Sequence, residues 1–341
     1  MTTRTRTDVG LPAGHTARPP QISDVPEIFA LVCDYDLQFL ARPDVAADDV
    51  RADLEDRLVD LQHGCWLVHD PDGRAVGYVV TWWDPEHAEF VFDPYVRPGA
   101  DQSLWEWLLH RCLSRATDLR ADHGGDLVLE GGCYSQDEVW SGRLAATGLA
   151  VVRRFWRMTI GLDPAVPTAP PTLANGVEIR LVDVDDETDL RRLHHVVDES
   201  FAEHFGSHRR EFDTWWTDAR GWSGFDPSQW WLALVDGREA AALMGSARFA
   251  DVGFGYVRTL GTLAEHRGRG LAKALLLTAF RSYAERGLVG AELGVDSANA
   301  TGATRLYESV GMSVEATIEA WRGKLTGAGV VPLAAEEPVT T

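Results

Sequence analysis

The chain has 341 residues, of which 45% are hydrophobic, and 52 acidic residues against 32 basic ones give a formal net charge of −20. This length suits two domains of ordinary size rather than one. A surface this acidic is a poor partner for nucleic acid and for anionic membranes, so we expect neither as a partner. No apolar run approaches the length of a membrane span, and residues 1–20 lack the hydrophobic segment of a secretory signal. We therefore expect a cytoplasmic protein with a flexible tail at 1–20.

The four cysteines, Cys33, Cys65, Cys112 and Cys133, all lie in the first half of the chain. They form no Cys-x-x-Cys pair and have no spacing typical of a zinc site. Buried, reduced thiols in a cytoplasmic protein explain them most simply. We therefore expect no metal.

The first half of the chain, residues 21–163, alternates helical and strand patterns. Ser23, Asp24 and Pro26 are typical of a helix start. The predicted elements are a helix from Ser23, an acidic helix at 48–61, a hairpin of strands at 65–69 and 75–82, a strand at 89–92, a helix at 103–118, a strand at 127–129, a short helix at 139–146 and a closing strand at 151–162.

Residues 164–175 are rich in Pro, Thr and Ala, which predicts a linker, and the same order of elements then repeats over 176–326. Residues 327–341 are expected to form a C-terminal tail. The second-half elements are strands at 177–181, 230–235, 240–249, 256–263, 290–295 and 314–325 and helices at 187–201, 271–286 and 301–309. The last short helix of each half ends at a glycine, Gly148 or Gly311, 163 residues apart. The pattern indicates an internal repeat of α+β type.

A glycine-rich turn, Arg267-Gly268-Arg269-Gly270, joins the strand at 256–263 to the helix at 271–286. Glycine lets the backbone adopt unusual dihedrals and approach a ligand closely. The first N–H groups of the following helix have no partner inside the helix, and they lie at the positive end of its dipole. This turn therefore suits a phosphate group, although neither a Walker loop nor a dinucleotide fingerprint can be read there.

The pattern Arg267-x-x-Gly270-x-Ala272 resembles the pyrophosphate loop of the GCN5-related N-acetyltransferases (GNAT). The segments that follow, 295–299, 303, 306–308 and 311–312, resemble the later part of the same family in the same order. The resemblance implies two tandem acyl-CoA N-acyltransferase folds, each a mixed, mainly antiparallel sheet flanked by helices. It also implies acetyl-CoA as cosubstrate and transfer of the acetyl group to an amine, with no metal.

The resemblance further implies which residues hold the coenzyme. The strand at 256–263 would separate from its neighbour and pair with the pantetheine arm. The coenzyme-binding residues expected from it are Leu260, Gly261, Thr262, Arg267, Gly268, Arg269, Gly270, Leu271, Ala272, Lys273, Asn299 and Ala303. Asn299 would contact the CoA arm, but an Asn here also suits the cap of the helix that follows. Tyr307 would be the general acid that protonates the departing thiolate.

The general base stays open. Glu203 and His204, where the helix at 187–201 ends, are the first candidates, Asp251 and Glu292 are weaker ones, and a water relay would need no dedicated base. The acceptor, a small-molecule primary amine, is expected in a groove between the halves near residues 199–227, with Glu199, His204, Trp222 and Tyr256 as candidate contacts. Trp230 and Trp231 are expected to pack in the core. The protein would be a monomer or a homodimer.

A closer resemblance is to the mycothiol synthases, tandem acetyltransferases that acetylate a cysteinyl amino sugar. It is carried by Phe201-Ala202-x-His204 and Phe225-Asp226-Pro227. The sequence departs from that family at Tyr256, where the resemblance expects a glutamate that acts as base. Mycothiol synthesis is therefore kept as an alternative, beside acetylation of a peptide and beside a non-catalytic acyl-CoA sensor.

The first half lacks the chemical residues of the second. Asp101 lies opposite the glycine-rich turn, where a carboxylate would repel a pyrophosphate, and Leu144 lies opposite Tyr307. We predict that the first half has the fold without the coenzyme loop or the acid.

Overall fold

A computed structural model describes residues 10–163, 171, 173–202, 209–298 and 302–333. The chain divides into two compact units. The first consists of Met1–Phe155, Asp296–Ala298 and Ala316–Thr341, and the second of Trp156–Val295 and Asn299–Glu315. Each unit therefore contains residues from both halves of the sequence.

The described residues up to the linker form the first ten elements. These are β1 (Thr16–Arg18), α1 (Val25–Asp36), α2 (Ala47–Glu55), β2 (Trp66–His69), β3 (Ala75–Asp84), β4 (Glu89–Val96), α3 (Ser103–His123), β5 (Leu127–Tyr134), α4 (Glu138–Thr147) and β6 (Ala150–Gly161).

The described residues after the linker form the remaining elements. These are β7 (Val177–Leu181), α5 (Glu187–Phe201), α6 (Phe212–Arg220), β8 (Trp230–Val235), β9 (Arg238–Ser246), β10 (Phe254–Thr262), α7 (Leu271–Glu285), β11 (Gly290–Asp296), α8 (Ala303–Ser309), β12 (Ser313–Thr326) and β13 (Gly329–Pro332).

The sheet of the first unit has the strand order β1-β2-β3-β4-β5-β12, and β13 pairs with β12. Strands β4 and β5 run parallel, whereas the other neighbours are antiparallel. Helices α1 and α2 pack on one face, and α3 and α4 contribute to the core that contains Phe92 and Trp140. Strand β12 is tied to this unit by Arg322, which forms ion pairs with Glu89 and Glu130.

The sheet of the second unit has the order β6-β11-β10-β9-β8-β7, to which β6 contributes its second half. Strands β7 to β10 are antiparallel, and β10 runs parallel to β11. Helices α5 and α6 cover one face, with Leu193 and Trp215 in their core. Helix α7 covers the other face, and Leu275 and Phe280 pack there together with residues of α8. The sheet is therefore mixed, mainly antiparallel and flanked by helices, as the sequence predicted.

Several elements differ from the sequence-based expectation. The helix expected at 48–61 ends at Glu55, because the Asp56 side chain accepts a hydrogen bond from the Leu58 N–H at 2.7 Å and turns the chain. Strands β1 and β13 lie in segments expected to be tails. Helix α6 was not predicted. None of the helices within the described ranges has the length and apolar character needed to cross a membrane.

Candidate active site

Strands β10 and β11 pair over only three residues. Phe254 to Tyr256 pair in register with Gly290 to Glu292, and among the described residues this register ends there. Strand β10 continues to pair with β9 on its other side as far as Thr262, with a bulge between Val257 and Thr259. A bulge bends a strand and increases its twist, which separates β10 from β11. The edge of β10 that faces β11 is thus left for another hydrogen-bonding partner.

The predicted pantetheine-binding residues Leu260, Gly261 and Thr262 lie on this separated part of β10. Leu260 packs toward the α7 core. Gly261 faces α5, where a Cβ would lie 2.8 Å from both Cβ and Oγ of Ser200. The absence of a side chain at Gly261 therefore lets the strand approach the end of α5.

The turn before α7 has the geometry that its glycines predict. Gly268 has φ +74° and Gly270 has φ +78°, a left-handed conformation that favours glycine. No described atom lies within 4 Å of the position of a Cβ on either residue, so the space beside them is open. Helix α7 has no side-chain cap, and its first backbone bond runs from the Ala274 N–H to the Gly270 carbonyl at 3.0 Å. The N–H groups of Leu271, Ala272 and Lys273 therefore precede the bonded part of the helix.

Three basic side chains surround this turn and are exposed. Arg267 donates from Nε to the Thr262 carbonyl at 3.4 Å, and Lys273 donates to the Ser309 carbonyl at 3.2 Å. Nη1 of Arg269 lies 3.1 Å from Nδ1 of His266. Three cations beside open helical N–H groups can bind an anionic group such as a pyrophosphate.

Tyr307 lies on α8 and is 8% exposed. It belongs to the core formed by α7 and its sheet face, together with Leu271 and the predicted contact Ala303. Burial raises the pKa of Tyr307 to about 12. The phenol therefore stays protonated throughout the neutral and mildly alkaline range and can act as a proton donor.

A cavity of about 150 Å³ lies on the α5 face of the second unit. Its lining residues are His194, Val197, Asp198, Phe201, Arg210, Trp215 and Thr259. The bulge of β10 ends at Thr259, so the cavity lies next to the separated part of that strand. Its walls combine the rings of Phe201 and Trp215 with the Asp198 carboxylate and the basic side chains of His194 and Arg210.

The three predicted acceptor contacts that the structure describes, Glu199, Trp222 and Tyr256, do not line this cavity. Glu199 is held by Arg209, with its two carboxylate oxygens at 2.7 and 3.0 Å from the guanidinium nitrogens. Trp222 lies under Arg258, whose guanidinium is 4.1 Å from the ring centroid. The ring of Tyr256 packs edge-on against Phe249.

The predicted base candidates fall into two groups. Glu203 and His204, together with the coenzyme candidate Asn299, lie outside the described residues. Asp251 is exposed and accepts a hydrogen bond from the Val252 N–H. Glu292 is buried and accepts a hydrogen bond from Arg157 at 3.0 Å.

Two residues beside these candidates were missed in the sequence. Arg157 is the partner of Glu292, and a single basic residue in the apolar strand Trp156–Ile160 was the available signal. Thr259 gave no signal, because a bulge depends on the partner strand.

The first unit has a different arrangement at the corresponding helix start. The Asp101 carboxylate accepts hydrogen bonds from the Ser103 N–H at 2.9 Å and the Ser103 hydroxyl at 2.7 Å, which lower the pKa of Asp101. This carboxylate occupies the start of α3. Leu144, at the position that corresponds to Tyr307, is fully buried.

Strands β4 and β5 also stop pairing, after Phe92 and Gly131. The residue after Phe92 is Asp93, whose carboxylate accepts a hydrogen bond from the Tyr95 hydroxyl at 2.5 Å. At the start of α3 the first unit therefore has the Asp101 carboxylate, whereas the second unit has open glycines before α7.

The sequence of this chain resembles both a family model and a curated relative. Residues 190–312 match the model of the acetyltransferase (GNAT) family. The chain is 31% identical over 300 residues to the mycothiol acetyltransferase of Thermobispora bispora, an alignment that covers 80% of this chain and 90% of that protein.

Solved structures resemble the whole chain. A GCN5-related N-acetyltransferase from Sphaerobacter thermophilus is 27% identical with a TM-score of 0.76, and the match covers 96% of this chain and 100% of the other. A tandem GNAT protein from the clavulanic acid biosynthesis pathway has a TM-score of 0.68 over 91% of this chain and 98% of its own. At 15% identity, that second likeness concerns the fold alone.

Proposed function

This chain belongs to the GNAT family of N-acetyltransferases, and we propose that it transfers an acetyl group from acetyl-CoA to the primary amine of a small molecule in its second unit. The family and the tandem fold predicted from the sequence are thereby confirmed. The observation that carries the proposal is the coincidence of three features in one unit. The strands part after Tyr256 and Glu292, open glycines precede α7, and a buried phenol lies at Tyr307.

The coenzyme would use two sets of backbone groups. Its pyrophosphate would accept hydrogen bonds from the N–H groups at the start of α7, with Arg267, Arg269 and Lys273 around it. Its pantetheine arm would pair with β10 along the edge from Leu260 to Thr262. A backbone N–H on that edge would polarise the thioester carbonyl.

Tyr307 would supply the proton that the thiolate needs when it leaves. A positioned acid of this kind contributes about 10²–10⁴-fold to the rate. A buried phenol is suited to this role because it keeps its proton at the pH of the reaction. Transfer would be direct, from the thioester to the bound amine.

The first unit is proposed to be a degenerate acetyltransferase domain that binds no coenzyme. The support is local: Asp101 occupies the helix start, and Leu144 cannot donate a proton. In this proposal one of the two domains, 176–326, carries the chemistry and the other, 21–163, supports it.

The acceptor of the mycothiol synthases is the second candidate, because the relative from Thermobispora bispora carries the name mycothiol acetyltransferase. Position 256 argues against assigning the mycothiol synthase substrate to this chain, because the resemblance expects a glutamate there and this chain has Tyr256. The general proposal therefore names a small-molecule primary amine, and the cysteinyl amino sugar is one member to test.

The test is release of free CoA in the presence of acetyl-CoA and a panel of primary amines that includes a cysteinyl amino sugar. The proposal expects amine-dependent CoA release from the wild-type protein and, at acetyl-CoA concentrations below saturation, a much lower rate from Gly270→Glu, which places a carboxylate in the turn. Coenzyme binding without CoA release from any amine would favour the sensor instead. Acetylation of peptides in preference to small amines would move the assignment to a protein acetyltransferase.

A further inference from the structure

Glu292 is a carboxylate buried at the point where β10 and β11 separate. Glu292 is 1% exposed. It pairs in register with Tyr256, the last residue of β10 before the two strands separate. In a parallel pair, residues in register point to the same face of the sheet, so the two side chains lie beside each other.

This face is the one that α5 and α6 cover. Ala291 and Leu293, the neighbours of Glu292 in β11, pack into the core beneath α7. Side chains alternate along a strand, so Glu292 points to the opposite face. Tyr307 belongs to the α7 core. A thioester in the gap between β10 and β11 would therefore have Tyr307 on one side and Glu292 on the other.

Arg157 of β6 fixes the carboxylate. Its Nη2 lies 3.0 Å from Oε2 of Glu292, and its Nε lies 3.4 Å from Oε2 of Glu315 on β12. The side chains of Arg157 and Glu292 are 4% and 1% exposed. A carboxylate has about four acceptor positions, so one that binds a guanidinium can also accept from further donors, an ammonium among them.

A buried ion pair is not by itself a sign of a stabilising role. Removing two charges from water costs several kcal/mol per ion, and an apolar pair of the same volume is often equally stable. Buried charged groups occur at functional sites as well as in structural networks. This pair lies where the register of β10 and β11 ends, next to the edge of β10 that is left for another partner.

We propose that Glu292 is the general base of the acetyl transfer, with Arg157 as the residue that positions it; this inference rests on the function proposed above. An acceptor ammonium on the α5 face gives one proton to the Glu292 carboxylate. The free amine forms a C–N bond to the thioester carbonyl carbon, and the C–S bond breaks.

The thiolate leaves with the phenolic proton of Tyr307, and a second proton from the nitrogen restores the phenol. The proton on Glu292 passes to solvent. One ammonium and one acetyl thioester thus give one amide, one thiol and one released proton.

The test is the pH dependence of kcat/KM for the amine in the wild-type protein and in Glu292→Gln. The charged and titratable groups recorded next to Glu292 include Arg157, which is its ion-pair partner and also contacts Glu315, and Tyr256, which pairs in register with it. At neutral pH we expect Glu292→Gln to lose about 10²–10⁴-fold in kcat/KM, with unchanged acetyl-CoA affinity by calorimetry. Alkaline pH should partly restore its rate, because the free amine then needs no base. A structural role alone would not produce this alkaline rescue.

A double variant separates catalysis from folding. Arg157→Met with Glu292→Leu replaces the buried ion pair by an apolar pair, which we expect to regain stability while the activity stays low. Recovery of activity together with stability would overturn the proposal, as would a wild-type rate and pH profile in Glu292→Gln. Glu285→Gln, at an exposed carboxylate of α7 that pairs with Arg281, is the matched control and should keep the wild-type rate. A wild-type protein that releases no CoA with any amine would instead overturn the proposed function.

Discussion

The backbone of Gly261 lies directly against Ser200, so that a Cβ on the glycine would approach the serine Oγ to 2.8 Å. Non-bonded heavy atoms do not come this close to a Cβ atom, so there is no room for a methyl group on residue 261. Strand β10 and the end of α5 are thus fitted to each other at the place where the coenzyme arm is expected.

Replacement of Gly261 by alanine should therefore destabilise the protein. We expect Gly261→Ala to lower the free energy of unfolding by about 1–3 kcal/mol, because the strand or α5 must shift to admit the methyl group. Gly294→Ala in β11 is the matched control, since no described atom lies within 4 Å of its Cβ position. Urea unfolding of both variants checks this, and equal midpoints would contradict it.

The left-handed glycine before α7 should be needed for coenzyme binding. We expect Gly270→Glu to weaken acetyl-CoA binding about 10–100-fold, because the carboxylate repels the pyrophosphate and displaces its hydrogen bonds. Gly287 lies just beyond the C-terminal end of α7. Its φ is +80°, and no described atom lies within 4 Å of its Cβ position. Gly287→Glu should therefore carry a similar backbone cost, about 1–2 kcal/mol, with an unchanged dissociation constant by calorimetry. Similar loss of affinity in both variants would mean that the turn has no special role.

Loss of the Tyr307 hydroxyl should reduce turnover more than binding. We expect Tyr307→Phe to lower kcat about 10²–10⁴-fold, because the thiolate must then leave without a positioned proton donor. The dissociation constant for acetyl-CoA should stay within a factor of about three, since the ring remains in the core. Initial rates of CoA release check the expected loss in kcat, and calorimetry checks the dissociation constant for acetyl-CoA. Near-normal turnover across the pH range would remove Tyr307 from the mechanism.

The same tyrosine should affect stability in alkali. Burial raises its folded pKa from 10.0 to about 12, so its stabilising contribution is complete below pH 10 and is lost as the pH rises toward 12. Relative to Tyr307→Phe, the wild-type protein should lose on the order of 2–3 kcal/mol over this interval. Tyr283, whose pKa burial also raises, is present in both proteins and cancels in the comparison. Parallel unfolding curves from pH 9 to 12 would show that Tyr307 titrates as if exposed.

One chain should bind one acetyl-CoA molecule. The start of α3 is already occupied by the Asp101 carboxylate, whereas the start of α7 has no side-chain cap. Calorimetry should give a stoichiometry near one, and Asp101→Ser, which keeps a capping oxygen, should leave it unchanged. Two sites of comparable affinity would contradict the assignment of the first unit.

The sequence predicted those parts of the site that depend on local signals. Helix α5 begins and ends at the predicted residues, and the turn at Gly268 and Gly270 has the backbone that two glycines favour. Trp230 and Trp231 are buried as expected. In each of these cases a few adjacent residues determine the conformation.

Other parts depend on residues far apart in the chain. The register of β10 ends at Glu292 because of a bulge against β9, and no short segment encodes that event. Arg157 and Glu292 are separated by 135 residues, so neither predicts the other. Helix α6 was not predicted either, and its Trp215 fills the core that α5 and α6 form against the sheet.

The strand that borders β5 in the first unit comes from Ala316–Thr326, on the far side of the second half of the sequence. During synthesis the N-terminal half leaves the ribosome first, yet its sheet stays one strand short until Ala316–Thr326 have also been made. The first unit can therefore complete its sheet only after the second half has been translated, and a gene cut at the linker would yield two fragments that each lack a piece of their own sheet.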